Sequence, residues 1–173
     1  MTPCMDVYKD KTQYDGSLNK LKLRIVVRGY LHNKELFGYT WSPTASMRTL
    51  KYFLEDAVKH KSIVHQLYFI GAFLQAKVNN WLFVKLDGIY ADYFPEYSNY
   101  FGSALRLLKS VYGMTNSGKL FSYELTEWLL EAYSIQSQWH MSIYYNYTPY
   151  GTKIAVLSYV YDFVYWYNSE ALG

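Results

Sequence analysis

The feature that most limits the fold of this chain is a set of strand-like runs separated by turns too short to hold a crossover helix. Residues 7–12 and 21–28 flank Asp15-Gly16, a dipeptide typical of hairpin turns. Within residues 21–28, apolar and largely basic side chains alternate, which predicts a strand with one apolar and one basic face. Near the other end, residues 141–147, 153–159 and 163–167 are again strand-like, with a turn at residues 149–151. Strands joined this closely pair antiparallel.

Helical periodicity lies between these strands. After Ser42-Pro43, apolar residues recur at helical spacing over residues 45–60, and a second helix is expected from Asn116 or Ser117 to about residue 132. A short helical segment is expected at residues 72–77 and a loop at residues 88–102. The remaining strands are expected at residues 62–69, 81–86 and 104–108, and the first eight residues are expected to be loose. This order predicts an α+β fold, with a mostly antiparallel sheet and helices packed on one side.

Composition and charge exclude several classes of protein. The 173 residues are 51% hydrophobic, which suits one ordinary domain with a core rather than a disordered chain. Cys4 is the only cysteine, so an intrachain disulfide is impossible, and the four histidines lack the spacing of a zinc site. No run is apolar enough to span a membrane and none resembles a signal peptide, so we expect an intracellular, reducing location.

Basic and aromatic residues each allow two interpretations. The net charge is +3, and seven of the basic residues lie between Lys9 and Lys34. Such a segment is typical of a solvated surface hairpin and also of a nucleic-acid contact. The chain holds 21 tyrosines. One interpretation is a drift in composition, and the other is a base-stacking surface. The tyrosines lack the spacing of a stacking surface, which favours drift.

Five segments resemble, in the same order, the motifs of copia-type reverse transcriptases. The family motifs KARLVARGF, ETFSPV, QLDVKTAFL, LYGLK and LLYVDD are matched by RIVVRGY at 24–30, TWSP at 40–43, QLYFIGAFL at 66–74, SVYGM at 110–114 and LSYVYD at 157–162. Each motif alone is weak evidence. Together they extend over nearly the whole chain, and the chain is therefore identified as a member of this family.

The resemblance implies a right-hand polymerase palm with fingers. We expect residues 1–173 to form a reverse transcriptase domain fragment, fingers-like up to about residue 60 and fingers/palm from about residue 61, with the thumb and ribonuclease H domains absent. The implied activity is RNA-directed DNA polymerisation, with an RNA template, a DNA primer and a deoxynucleoside triphosphate as partners. A retrotransposon particle in the cytoplasm, or the nucleus, is the implied location.

The resemblance also implies a centre with two Mg²⁺ ions, and this sequence departs from it. Such polymerases activate the primer 3′-hydroxyl with one ion and neutralise phosphate charge with both. The family supplies three aspartates, one at the end of the QLD strand and two in the YVDD turn. Here Tyr68 and Tyr161 occupy two of those positions, and only Asp162 remains as a catalytic and metal-binding carboxylate. We expect Mg²⁺ binding and polymerase activity to be lost.

Other positions of the nucleotide site match the family. Lys22 and Arg24 correspond to the basic residues that contact the triphosphate. Phe73 corresponds to the aromatic residue that packs under the sugar, although a core phenylalanine after a strand is the alternative. Gly113 lies where the backbone must approach a neighbour closely.

Three functional hypotheses remain open from the sequence. The chain is an inactive polymerase domain by descent, a module that binds RNA or an RNA–DNA hybrid without chemistry, or a relic without function. Tyr39, Trp81 and Tyr133 replace a glutamate, a polar residue and a glycine of the family, and these changes favour a decayed copy.

Overall fold

The computed structural model describes residues 2–31, 35, 38–79, 82–85, 94–100, 102–132 and 134–168. The chain divides into two compact units, the first formed by Met1–Thr40 and Phe73–Leu120 and the second by Trp41–Ala72 and Phe121–Gly173. Compactness alone defines these units, so the predicted division into fingers and palm near residue 60 stays a prediction. Trp81, Tyr133 and much of the predicted 88–102 loop lie outside the described residues.

The described residues form an α+β fold with two sheets and mostly antiparallel strands, as predicted at that level. The elements in chain order are β1 (Thr2–Thr12), β2 (Leu18–Val27), α1 (Met47–Lys59), β3 (Ile63–Tyr68), β4 (Phe83–Lys85), β5 (Ala104–Arg106), α2 (Ser117–Glu131), β6 (Ile135–Gln136), β7 (Ile143–Tyr147), β8 (Lys153–Tyr159) and β9 (Asp162–Tyr167). Short 3-10 helices occupy Gly29–Leu31, Ala72–Leu74 and Pro95–Tyr100. No helix in the described part of the chain has the length and apolar character needed to span a bilayer.

The first unit holds a four-stranded sheet in the order β2-β1-β4-β5. The predicted hairpin is present as β1 and β2, but the expectation of a loose N-terminus is wrong. β1 begins at Thr2 and pairs antiparallel with β2 and parallel with β4. Thr2 and Cys4 are buried, and Cys4 packs with Val27 and Val84 in the core of this unit. Pro3 obscured the strand in the sequence, because proline usually marks a strand end or edge.

The second unit holds a five-stranded antiparallel sheet in the order β3-β9-β8-β7-β6. Helix α1 begins later than predicted, because Ser46 rather than Ser42 caps it: the Ser46 hydroxyl accepts a hydrogen bond from the Thr49 N–H at 3.1 Å. The strand predictions at β3, β8 and β9 are correct to within a residue or so at each end. β6 was missed because two residues are too short to show a period.

Helices cover both faces of the second sheet, so the expectation of helices on one side is wrong. Ile143 and Trp166 share a core with Phe53 of α1. Tyr144, which points to the opposite face, shares a hydrogen bond of 2.8 Å with Thr126 of α2. Both faces of the central strands are apolar, and each needs a cover.

A partly buried ion pair ties α1 to the start of β8. The Lys153 ammonium lies 3.1 Å from the Asp56 carboxylate, with 17% and 19% of the two side chains exposed. The same ammonium lies over the rings of Tyr145 and Trp166, 4.6 and 5.0 Å from their centroids. Burial, followed by the charge of Asp56, raises the pKa of Tyr145 to about 12. His60 stacks on Trp166 and closes the cluster.

We expect Asp56→Asn to lower the free energy of unfolding by about 1–2 kcal/mol, because it leaves the Lys153 ammonium partly buried without its counter-charge. Urea unfolding followed by circular dichroism measures this. The matched control is Glu55→Gln on the exposed side of the same helix, for which we expect a change within about 0.5 kcal/mol. Equal effects of the two changes would contradict a stabilising role of the ion pair.

Candidate active site

The predicted polymerase residues fall in both units. In the second unit, the strand end and the hairpin turn predicted to carry the metal ligands do converge. Tyr68, the last residue of β3, pairs directly with Asp162, the first residue of β9. Paired positions in antiparallel strands have Cα atoms about 4.5–5.5 Å apart. The prediction that Tyr68 and Asp162 lie on adjacent strands is therefore confirmed.

The turn between β8 and β9 is as short as a hairpin allows. Tyr159 pairs with Asp162, which leaves Val160 and Tyr161 as the only loop residues. Val160 has a φ of 56°, in the left-handed region that β-branched residues rarely adopt. The Phe69 N–H donates to the Tyr161 carbonyl at 2.7 Å and holds the turn against the end of β3. Strain of this kind is common at functional turns, and apart from the motif no feature of the sequence indicates it.

Two phenol rings occupy the point where the strands meet. The rings of Tyr68 and Tyr161 are 5.4 Å apart between centroids and inclined at 66° to each other, an edge-to-face contact. They are also accessible, with 62% and 39% of the residue exposed. Because directly paired residues point to the same face of a sheet, the ring of Tyr68 lies beside the half-buried side chain of Asp162.

Asp162 also lines a groove of about 570 Å³ between the sheet and the start of α1. Ser46, Gln66 and Tyr159 are the other polar residues that line it, and none of the described lining residues besides Asp162 is acidic. Across the described residues, no group of three or more histidine, cysteine, aspartate or glutamate side chains is placed to hold a metal ion.

Asp56, one of the two acids nearest to Tyr68 in the sequence, does not supply a missing ligand. Asp56 is paired with Lys153, at the far end of β8 from Tyr159. Six residues of strand separate those ends by roughly 20 Å. Asp87 lies outside the described residues. One carboxylate between two phenols does not match a centre for two Mg²⁺ ions, which prefer several oxygen ligands in octahedral geometry.

In the first unit, one face of the β1–β2 hairpin is strongly basic. The pairing of Lys9 with Lys22 and of Lys11 with Lys20 places four ammonium groups on the face that also carries Arg24. The charge of Arg24 is the largest cause that lowers the pKa of Lys22. Desolvation and then the charges of the three other lysines lower it further. The alternating pattern predicted this face correctly.

The other face of the hairpin is less apolar than predicted. Leu21 and Leu23 are 68% and 46% exposed, and their partners across the hairpin are Asp10 and Tyr8. Only the end of β2 reaches the core of its unit, where Val27 is buried. The pattern of β2 alone could not show which side chains β1 would place opposite it.

Tyr112 contacts two of the predicted nucleotide-contact residues. The Arg24 guanidinium carbon lies 5.6 Å from the centre of the Tyr112 ring, and the Phe73 ring meets the same ring edge-on at 6.5 Å. Arg24 and Tyr112 line a groove of about 400 Å³. Arg24 and Phe73 therefore contact the same ring, and Lys22 shares the strand face of Arg24. That all three residues face one nucleotide cleft stays a prediction. Sequence reasoning missed Tyr112, although it directly precedes Gly113 in a recognised motif.

Gly113 permits a close backbone approach, as predicted. Its φ is +87°, and a Cβ atom there would lie 2.0 Å from the Val27 carbonyl oxygen. The Val27 N–H donates to the Tyr112 carbonyl at 2.8 Å, so this turn packs on the end of β2. The approach is to the chain's own backbone, and a role in nucleotide binding stays a prediction.

Comparison with known proteins agrees with the motifs. The family model described as reverse transcriptase (RNA-dependent DNA polymerase) matches residues 2–170. The chain is 29% identical over 129 residues to the retrovirus-related Pol polyprotein from transposon RE2 of Arabidopsis thaliana, and 28% identical over 128 residues to that from transposon RE1. Each alignment takes in 73% of this chain and 8% of the relative, so the chain matches only a small part of those polyproteins. No solved structure matches it. The predicted resemblance is confirmed, and the chain belongs to the reverse transcriptase (RNA-dependent DNA polymerase) family.

Proposed function

We propose that this chain is the fingers-and-palm part of a copia-type RNA-directed DNA polymerase that binds template and primer but does not polymerise. The observation that carries the proposal is the pairing of Tyr68 with Asp162 at the hairpin turn. Membership of the family supports the nucleic-acid partners, and the side chains at this turn support the loss of chemistry. An intracellular location remains a prediction.

The loss of chemistry follows from the ligands that the reaction needs. Mg²⁺ binds carboxylate oxygens, whereas phenols ordinarily stay neutral until about pH 10 and are poor ligands for a hard ion. Asp162 is one carboxylate where the family has three. The rings of Tyr68 and Tyr161 contact each other at 5.4 Å, in the space beside that carboxylate. A phosphate and its ions would have to displace both rings.

The binding role follows from the hairpin. Five cations on one face attract a phosphate backbone, and neutralising each phosphate releases counterions. Arg24 and Phe73 at the Tyr112 ring combine a guanidinium with an aromatic surface, which fits the triphosphate and sugar of one nucleotide.

We expect the chain to bind an RNA–DNA primer–template with an affinity that falls steeply with salt, and to extend the primer with no detectable rate in the presence of Mg²⁺. Fluorescence anisotropy of a labelled hybrid at several salt concentrations, with primer extension in parallel, measures both. Lys22→Gln/Arg24→Gln should weaken binding and lower the salt slope by about two, one for each cation removed.

The outcome separates this proposal from its alternatives. Primer extension by the unmodified chain would overturn the loss of chemistry. Absence of salt-dependent binding in a chain that unfolds cooperatively would overturn the binding role. Failure to unfold cooperatively would favour a relic without function.

A further inference from the structure

Trp139 is the most exposed tryptophan among the residues that the structure describes. It is 87% exposed, although tryptophan is usually buried for most of its surface. It precedes β7 in a loop that contains no position of the polymerase motifs. An indole held in solvent is a ready surface for stacking.

The loop that carries Trp139 is braced rather than loose. The Ser137 N–H donates to the Ile143 carbonyl at 2.8 Å, and the Ile143 N–H donates to the His140 carbonyl at 3.0 Å. The Gln136 side-chain amide donates to the Met141 carbonyl at 2.8 Å. A ligand on the indole would therefore meet a backbone that is already ordered, which reduces the entropy lost on binding.

Trp139 lines a pocket of about 420 Å³, a size found for small-molecule sites. Its described lining residues are Arg48, Thr49, Tyr52, Trp139, His140 and Ile143. The pocket combines the exposed rings of Tyr52 and Trp139 with the guanidinium of Arg48. Among these described lining residues, Arg48 alone carries a permanent charge. The pocket therefore favours an anionic ligand with a flat ring.

His140 adds a directed donor. Its Nδ1 accepts a hydrogen bond from the Ser142 N–H at 3.1 Å, so neutral His140 carries its proton on Nε2. This arrangement leaves Nε2–H to donate to a carbonyl or phosphate oxygen. With Arg48 and the two rings, the pocket offers what a nucleotide needs: stacking for the base and donors for its oxygens.

We propose that this pocket binds an unpaired nucleotide of single-stranded RNA or DNA, with the base stacked on Trp139 and the phosphate on Arg48. This proposal extends the proposed function and rests on it, because it assumes that the chain binds nucleic acid. Stacking requires an accessible base face, so a single strand fits and a duplex does not.

The test is fluorescence anisotropy of a short fluorescein-labelled oligouridine with the whole chain. Trp139→Ala should weaken binding about tenfold, the scale of one stacked base, and Trp139→Phe should retain part of the affinity. Arg48→Gln should weaken binding and lower the salt slope by about one. Tyr150→Ala is the matched control, because Tyr150 is 86% exposed in the β7–β8 turn and does not line the pocket.

The remaining outcomes either support or overturn the pocket. A duplex of the same length should bind Trp139→Ala and unmodified chain alike. Equal oligouridine affinity of those two chains would overturn the proposal, and so would displacement of oligouridine by an oligoglutamate at equal concentration, which would indicate an unselective anion site.

The proposed roles of the pocket and of the β1–β2 hairpin can be disproved independently of each other. The effect of Trp139→Ala should persist in the Lys22→Gln/Arg24→Gln background, because these residues belong to the first unit and the pocket to the second. If primer–template binding proves insensitive to the hairpin substitutions while Trp139→Ala still weakens oligouridine binding, the hairpin role is wrong and the pocket stands. If the reverse holds, the pocket is wrong and the hairpin role stands.

Discussion

The double change Tyr68→Asp/Tyr161→Asp is expected to restore Mg²⁺-dependent primer extension, whereas either change alone restores none. Tyr161→Asp rebuilds the acidic pair of the turn with Asp162 but leaves the Tyr68 ring on the neighbouring strand. Tyr68→Asp leaves that pair broken. Ligands that act as one unit are strongly non-additive, so the gain should appear only when both carboxylates are present.

The assay compares the unmodified chain, both single variants and the double variant on an RNA template, each fused to the thumb of a related polyprotein. We expect the double variant to exceed the others by about a hundredfold or more, the scale on which one electrostatic group acts in an active site. Binding of Mn²⁺, followed by electron paramagnetic resonance, supplies a readout that needs no thumb.

Tyr159→Asp is the matched control for this experiment. Tyr159 also pairs with Asp162 and is 52% exposed, yet it occupies no metal-ligand position of the family motif. Adding a carboxylate there tests whether any acid beside Asp162 suffices. Extension by a single variant or by the Tyr159→Asp chain would show that the three-carboxylate arrangement is not what the chain lacks.

Local patterns predicted the strands, because side-chain alternation and short turns are properties of contiguous residues. The hairpin of β1 and β2 and the pairing of Tyr68 with Asp162 follow from such patterns and from motif order. The burial of each face did not follow. Leu21 and Leu23 belong to an apolar stripe in sequence, but they are exposed because the core reaches only the end of β2.

Contacts between distant segments were the part that sequence could not supply. Tyr112 contacts both Arg24 and Phe73, residues far from it in sequence, and no period or motif spacing encodes that meeting. The braced loop of Trp139 depends on hydrogen bonds between backbone groups, which every residue carries and no composition records. The left-handed φ of Val160 is hidden for the same reason, since valine is a poor indicator of such a turn.

Gly113→Ala is expected to lower the free energy of unfolding by about 3 kcal/mol or more, since it adds overpacking to the cost of a left-handed backbone. The added Cβ would lie 2.0 Å from the Val27 carbonyl oxygen and 2.5 Å from Val26 Cγ1, and the Val27 backbone cannot move aside as a flexible side chain would. Gly16→Ala separates the two costs. Gly16 has a similar φ of +83° with no atom within 4 Å of an added Cβ, so only the backbone cost of about 1 kcal/mol applies.

Urea unfolding of the two variants measures the difference, and equal destabilisation would show that φ alone constrains Gly113.

A second readout follows from the position of the turn. Because the Tyr112 carbonyl accepts from the Val27 N–H at 2.8 Å, a shift at Gly113 moves the ring that Arg24 and Phe73 share. In the absence of urea, where the chain is folded, Gly113→Ala should therefore weaken primer–template binding, whereas Gly16→Ala should leave that binding unchanged. A Gly113→Ala chain that folds and binds normally would mean that the turn does not position the Tyr112 ring.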